Sequence, residues 1–245
     1  MQENPEINVL LQGIVGSTAY GLAGPDSDVD RLGVFATPLD QILSLDPPAD
    51  SIVTTKPDVT MHEALKMCRL LLKGNPSVTE LLWLPEELYE VKTELGEQLI
   101  AIRSAFLSAS QVRARYLGYA RSQFHRLTKH GDGDETLDPR KHVAKHARHL
   151  LRLLDQGLVL YQTGEVQVRL ANPQRYFDFG EMVARRPSSA EEWLLRAEEQ
   201  FDSAVSALPS EPNKELVEDW LWSVRHYAPP IKLSVPGMWE SDRTE

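Results

Sequence analysis

Residues 16–34 read GSTAYGLAGPDSDVDRLGV, and the fold is decided by how this stretch is punctuated. The apolar, β-rich run INVLLQGIV at 7–15 leads into Gly16, the pattern of a strand entering a turn. STAYGLAG at 17–24 has the length of one or two helical turns, with Ser17 at a favoured N-cap place and Gly21 and Gly24 helping to end it. Gly24-Pro25-Asp26-Ser27 is a dense turn signal. DVDRLGVFA at 28–36 then alternates as a second strand. A Gly-Ser turn opening a helix offers backbone N–H groups and a hydroxyl to phosphate oxygens. Asp28 and Asp30, two apart on a strand, place both carboxylates on one face. Two such groups repel unless a cation lies between them, and a hard divalent ion with oxygen ligands, such as Mg²⁺, relieves that repulsion. A phosphate cradle joined to a carboxylate pair is equipment for phosphoryl or nucleotidyl transfer. Asp26 and Asp28 form a second Asp-x-Asp pair, but Asp26 follows Pro25 and reads as a turn residue. Arg31 faces away from the carboxylates on a strand and takes a structural role, with Asp26 as its expected partner.

Working outward, SIVTT at 51–55 and DVTM at 58–61 read as further strand, interrupted near Lys56-Pro57. From His62 to Lys73 the period becomes helical, with Ala64, Leu65, Cys68, Leu71 and Leu72 on one face. Gly74-Asn75-Pro76-Ser77 stops that helix and caps the next, which opens VTELLWL. Helical spacing dominates after about residue 95, over 97–107, 110–130, 139–156, 190–207 and 213–224. The stretch 131–138 is a polar loop, 166–170 is a short extended piece, and the tail from Pro229 lacks a regular pattern. The expected class is α+β: a small mixed β-sheet packed with helices over 1–95, then a mostly helical part over 96–245, with the boundary near 90–108.

The 245 residues are 42% apolar and 25% charged, ordinary for a soluble globular chain. No apolar run approaches the roughly 18 residues of a membrane span, so no membrane partner is expected. The N-terminus lacks a basic segment followed by an apolar one, so no signal peptide is read. The single cysteine, Cys68, lies in the apolar pattern ALKMCRLLL and reads as a buried, inert thiol, which suits a reducing cytoplasm. The net charge of −10 argues against a protein that coats duplex nucleic acid. The charge is uneven, however. Gln111–Arg152 holds ten Lys/Arg against four Asp/Glu, about +6, which leaves about −16 for the remainder. A basic surface on an acidic protein suits an anionic substrate gripped at one place.

Gly-Ser, a short helix, and Asp-x-Asp on the following strand resemble the DNA-polymerase-β-type nucleotidyltransferase superfamily. The closer resemblance is to the RNA-repair-pathway DNA polymerase beta family, the RlaP-like proteins. It is carried by residues 16–34, by DVTMHEALKMCRLLLKGNPSVTELLWLP at 58–85, and more loosely by KHVAKHARHLLRLLDQG at 141–157. The resemblance implies that 1–95 is a nucleotidyltransferase core and 96–245 a helical domain that closes over nucleotide or substrate. It implies a third metal-binding carboxylate on a later strand, where Asp58 fits the order of elements and Glu63, on the helix expected from His62, is the rival. Asp58 also reads as an ordinary turn or N-cap residue after Pro57. In the implied chemistry Asp28, Asp30 and Asp58 hold two Mg²⁺ or Mn²⁺ ions. Gly16 and Ser17 bind the phosphates of an NTP, and an acceptor hydroxyl, that of an RNA or tRNA end, attacks the α-phosphate.

A second signal lies in 141–156. Val143, Ala147, Leu150, Leu151 and Leu154 make an apolar stripe, and Lys141, Lys145, Arg148 and Arg152 share another face. The basic stripe reads equally as a solvated face and as a surface for triphosphate or nucleic acid, for which Lys141, Lys145, His146 and Arg148 are the candidates. His142, His146 and His149 flank it without an evident fourth zinc ligand. Arg113, Arg115, Arg121, Arg126 and Lys129 are interleaved with Tyr116, Tyr119 and Phe124, a pattern that can bind single strands. Tyr116, Ala120 and Phe124 also fit a helical core, as does Trp83. Two other functions fit the same residues: nucleotidylation of a small molecule or a protein, which the acidic net charge favours, and a non-catalytic nucleotide or RNA sensor, which the intact Gly16, Ser17, Asp28 and Asp30 disfavour.

Overall fold

The computed structural model describes residues 7–25, 27–128 and 138–226. Asp26, Lys129, the stretch 131–137 and the tail from Pro229 lie outside the described residues. In chain order the elements are β1 (Asn8–Ile14), α1 (Gly16–Tyr20), β2 (Arg31–Ala36), α2 (Leu39–Ile42), β3 (Ser51–Thr55), β4 (Asp58–Glu63), α3 (Ala64–Leu72) and α4 (Pro76–Thr79). Two 3-10 turns, Glu80–Trp83 and Glu86–Leu88, lead to β5 (Tyr89–Lys92). Then follow α5 (Glu94–Ala101), a third 3-10 turn (Arg103–Phe106), α6 (Ala109–Thr128), α7 (Pro139–Thr163), α8 (Pro173–Arg185), α9 (Ser189–Ser203) and α10 (Lys214–His226). No described helix is long and apolar enough to cross a membrane. The class is α+β, as the sequence led one to expect.

The chain divides into two compact units: residues up to Leu72 with Ser77–Phe106 and the residues from Asn213, and Lys73–Pro76 with Leu107–Pro212. The first holds a mixed five-stranded sheet of order β3-β4-β2-β1-β5. β2 and β4 run parallel, and every other neighbouring pair is antiparallel. β2 is the middle strand, and all its residues after Arg31 are buried. Such continuous burial suits a central strand and differs from the half-exposed alternation read for 28–36, and the strand starts at Arg31 rather than at Asp28. Val9, Phe35, Val59 and Met61 make one apolar cluster across three strands, with Ile7, Ile52 and Val91 packed on it.

β4 also runs further than its sequence suggested. His62 and Glu63 were expected in a helix, yet they pair with Ser51 and Phe35, and α3 begins at Ala64. Strand pairing on both sides outweighs the local helical pattern. α3 buries Ala64, Met67, Cys68 and Leu71. Burial, and then the nearby Glu63 carboxylate, push the Cys68 thiol up to about 12, which keeps it protonated and inert as expected.

Residues 96–106 and 213–226 belong to the unit that holds the sheet, whereas the sequence reading grouped everything after residue 95 with the helical part. The cause is long-range and invisible to periodicity. The Trp220 indole donates to the Leu95 carbonyl at 2.9 Å. Arg225 donates to Glu63 at 2.6 Å and to the Thr37 carbonyl at 3.4 Å. The other Glu63 oxygen accepts from the Leu65 N–H at 2.8 Å, at the start of α3.

In the second unit α6 packs on α7, and Tyr116 fits against Gly157 so closely that a Cβ there would lie 2.6 Å from the Tyr116 Cβ. Tyr116 and Ala120 are buried as expected, while Phe124 is only half-buried. α7 continues to Thr163 and is ended by Gly164 in the left-handed region. Residues 166–170 alternate buried and exposed without a partner strand among the described residues, because Gln156 from α7 binds the Gln167 carbonyl at 2.8 Å. α8 was not anticipated. Its signals were present: Asn172 caps it, Pro173 opens it, and Tyr176, Phe179 and Val183 keep helical spacing.

The Glu63–Arg225 pair is less than a tenth exposed on both sides. Removing one partner strands a buried charge, so Arg225→Ala is expected to lower stability by about 3–5 kcal/mol. Urea unfolding is the check, and the neutral pair Glu63→Gln/Arg225→Met should recover part of the loss.

Candidate active site

The mouth of the sheet is set by Gly16. It follows β1 with φ +67°, a conformation that side chains rarely adopt, and a Cβ there would lie 2.1 Å from Asp30 Oδ2. The Val15 N–H donates to the Asp30 carbonyl at 2.9 Å, which carries the β1–β2 ladder one step past the Ile14–Arg31 pair. Glycine is thus needed at position 16 both for its backbone and for the carboxylate pressed against it. The short α1 starts at Gly16 itself, with Val15 at the N-cap, so Ser17 sits inside the first turn and not at the cap expected for it. Gly21, at φ 78°, ends the helix.

α1 is anchored from elsewhere in the chain. The buried Tyr20 hydroxyl lies 2.8 and 2.7 Å from the two oxygens of Glu80, in the turn that follows α4. The Gly-Ser stretch and the GNPSVTELLW stretch, 60 residues apart, therefore meet in space. Neither Tyr20 nor Glu80 stood out in the sequence. A glutamate flanked by the apolar run LLWL was the available signal, since a buried carboxylate needs a donor.

Asp28 is exposed and Asp30 half-buried, and both lie just before β2 instead of on it. Asp58 is half-buried and opens β4. The parallel register pairs Arg31 with Val59; continued one residue outward, it sets Asp30 beside Asp58. Glu63, five residues along the same strand, faces the opposite side of the sheet and is engaged by Arg225 and the start of α3. Arg31 pairs with Glu90 of β5 at 2.9 Å, and Gln12 donates to the same carboxylate at 2.8 Å. Its role is structural, with Glu90 as the partner, while Asp26 lies outside the described residues.

Among the described residues no three His, Cys, Asp or Glu side chains converge into a ready metal cluster. The donor set at the mouth nonetheless suits a hard divalent cation. It offers carboxylates at the ends of adjacent strands, Asp28 and Asp30 just before β2 and Asp58 at the start of β4, and the Asp30 carboxylate occupies the space that a Cβ on residue 16 would fill.

The basic-helix candidates belong to the second unit. Lys141 and Lys145 are exposed. His146 Nδ1 lies 2.7 Å from Gln123 Oε1, and burial, then His142, Arg126 and Lys145, hold it down to about 4. Arg148 stacks over the Phe177 ring at 5.1 Å, and burial lowers it from the usual arginine range. Burial, helped by neighbouring cations, drives His149 down to about 3. Arg152 is buried and donates to Gln156 at 2.6 Å, so the stripe read from Lys141 to Arg152 is exposed at one end and sinks into the core at the other.

With this geometry in hand, the chain matches the RNA repair pathway DNA polymerase beta family, RlaP, over residues 1–204. It belongs to this family. The RlaP match takes in the Gly-Ser and Asp-x-Asp stretch, the whole sheet and α3 to α9 as far as Ser203. No curated protein matches the chain.

Gly16→Ala must adopt a strained backbone and displace the Asp30 carboxylate, so a loss of about 1–3 kcal/mol is expected. Gly118→Ala, in α6 with open space around it, should instead gain about 1 kcal/mol. Urea denaturation of the two variants beside the parent chain measures both.

Proposed function

We propose that this chain transfers a nucleoside monophosphate from an NTP to an acceptor hydroxyl, with an RNA or tRNA end as the acceptor. The observation that carries the reading is the close fit of Gly16 on the Asp30 carboxylate, at the mouth of a strand whose parallel neighbour opens with Asp58. Membership in a polymerase-beta-like family of RNA repair supports it.

Asp28, Asp30 and Asp58 would hold two divalent ions, Mg²⁺ or Mn²⁺. Such ions, when bound, offset the charge of the triphosphate and of the carboxylates and favour both the ionised hydroxyl and departing pyrophosphate. The Ser17 hydroxyl and the N–H groups that follow Gly16 donate to β- or γ-phosphate oxygens. His146 and Arg148 are tied to Gln123 and Phe177 within their own unit, so triphosphate binding is proposed for Gly16 and Ser17 alone. Asp58 accepts the proton of the attacking hydroxyl. The acceptor oxygen bonds to the α-phosphorus, the bond from that phosphorus to the bridging oxygen breaks, and pyrophosphate leaves with the electron pair.

The test is incubation of the purified protein with Mg²⁺ or Mn²⁺, each α-³²P-NTP in turn, and a pool of tRNA and short RNAs. Label should move to RNA and fall by at least about 100-fold in Asp28→Asn/Asp30→Asn. Label on protein or on a small acceptor would instead favour the second reading, for which the net charge of −10 speaks. Absence of both transfer and NTP binding would sink the proposal.

A further inference from the structure

The cations of α6 and α7 sort into two groups. Arg113 and Arg121 of α6 are neutralised by Asp202 and Glu198 of α9. Arg115 donates to the Lys73 carbonyl at 3.0 Å, and Arg148 is stacked on Phe177. Arg126, near the end of α6, and Lys141 and Lys145, near the start of α7, are different. All three are exposed and have no ion-pair partner among the described residues.

These three cations lie close together. The α6–α7 contacts run from Tyr116 against Gly157 to Gln123 against His146, so the end of α6 lies beside the start of α7. Lys141 and Lys145 are one helical turn apart on one face. Arg126 and Lys145 both act on the half-buried His146, and both oppose its protonation. The exposed His142 ring packs edge-on against His146 at 4.4 Å and opposes it too. Among the described residues the field there is therefore positive, with Asp138 held in the cap of α7, on a protein whose net charge is −10. Like charges kept together cost stability, and an anionic partner removes that cost.

We propose that Arg126, Lys141 and Lys145 form a docking surface for the phosphodiester backbone of RNA. The proposal rests on the reading of the chain as a nucleotidyltransferase acting on RNA, and it assigns that substrate a binding surface in the second unit. The surface grips phosphates and carries no base-reading device, so its RNA binding is insensitive to sequence and sensitive to salt. Acidic residues elsewhere repel the same polyanion and confine it to this patch.

The experiment is equilibrium binding of a fluorescent RNA hairpin with a single-stranded 3′ end to the full chain. It is run in EDTA over a range of salt, so that no nucleotidyl transfer is needed. Parent protein, Lys141→Glu/Lys145→Glu and Arg113→Gln are compared, with circular dichroism to verify folding. The logarithm of the parent's affinity should fall linearly with log salt. The double variant should bind at least about tenfold more weakly, with a salt slope smaller by about 1.5. Arg113→Gln, on the neutralised side, should bind like the parent. Equal affinity of parent and double variant would overturn the proposal. So would absence of RNA binding by the parent, including the case in which it binds anionic phospholipid vesicles instead. Loss of NTP affinity in place of RNA affinity would also overturn it and return the two lysines to the triphosphate. Because transfer and docking are read separately, a failure of one is distinguished from a failure of the other.

Discussion

A carboxylate pressed against a glycine holds the end of the sheet together. Asp30 can sit where it does only because residue 16 has no side chain and tolerates a positive φ. The backbone bond from Val15 to Asp30 then fixes the two strand ends against each other. Much follows from that contact. β2 enters the middle of the sheet directly after Asp30, and its parallel pairing with β4 decides which residue of β4 stands next to the carboxylate. A slip of one residue would turn Asp58 to the opposite face and exchange it for Val59. Tyr20 and Glu80 then pin the short α1 to the turn after α4, so the Gly16 turn is anchored at both ends.

The same strand separates two carboxylates by use. Asp58 and Glu63 begin and end β4 five residues apart, on opposite faces. Glu63 is buried, paired with Arg225 and bonded to the backbone at the start of α3. It ties the last described helix to the sheet, which gives α10 a structural reason to return to the first unit. A carboxylate so satisfied has little capacity left for a cation, whereas Asp58 remains half-exposed at the mouth.

Much of this was legible in the residues. The order strand, Gly-Ser turn, Asp-x-Asp is local, and local punctuation by Gly and Pro survives into the fold. β1, β3 and the helices α6, α9 and α10 lie within a few residues of where periodicity put them. Most of the misreadings come from pairing between distant parts of the chain. β2 lies between β1 and β4 in the middle of the sheet and is buried throughout after Arg31, so the alternation read for it was misleading. His62 and Glu63 follow their strand neighbours and not their helical context. β5 is only four residues long and exists because β1 offers it an edge. Tyr20–Glu80 and Glu63–Arg225 join residues 60 and 162 positions apart, beyond the reach of any window. In the basic stripe, spacing gave the face correctly at Lys141 and Lys145 but could not tell that Arg152 would be buried.

The central claim is that the Gly16–Asp30 corner, with Asp58 beside it, is a cation-assisted nucleotide site. The most direct measurement is the water-proton relaxation of Mn²⁺ titrated with the protein and a non-hydrolysable NTP analogue, for the parent chain and for Asp58→Asn. Saturable enhancement in the parent, clearly weakened in Asp58→Asn while circular dichroism stays unchanged, is the predicted result. Enhancement of the same size and midpoint in both proteins, or none in the parent, would contradict the account.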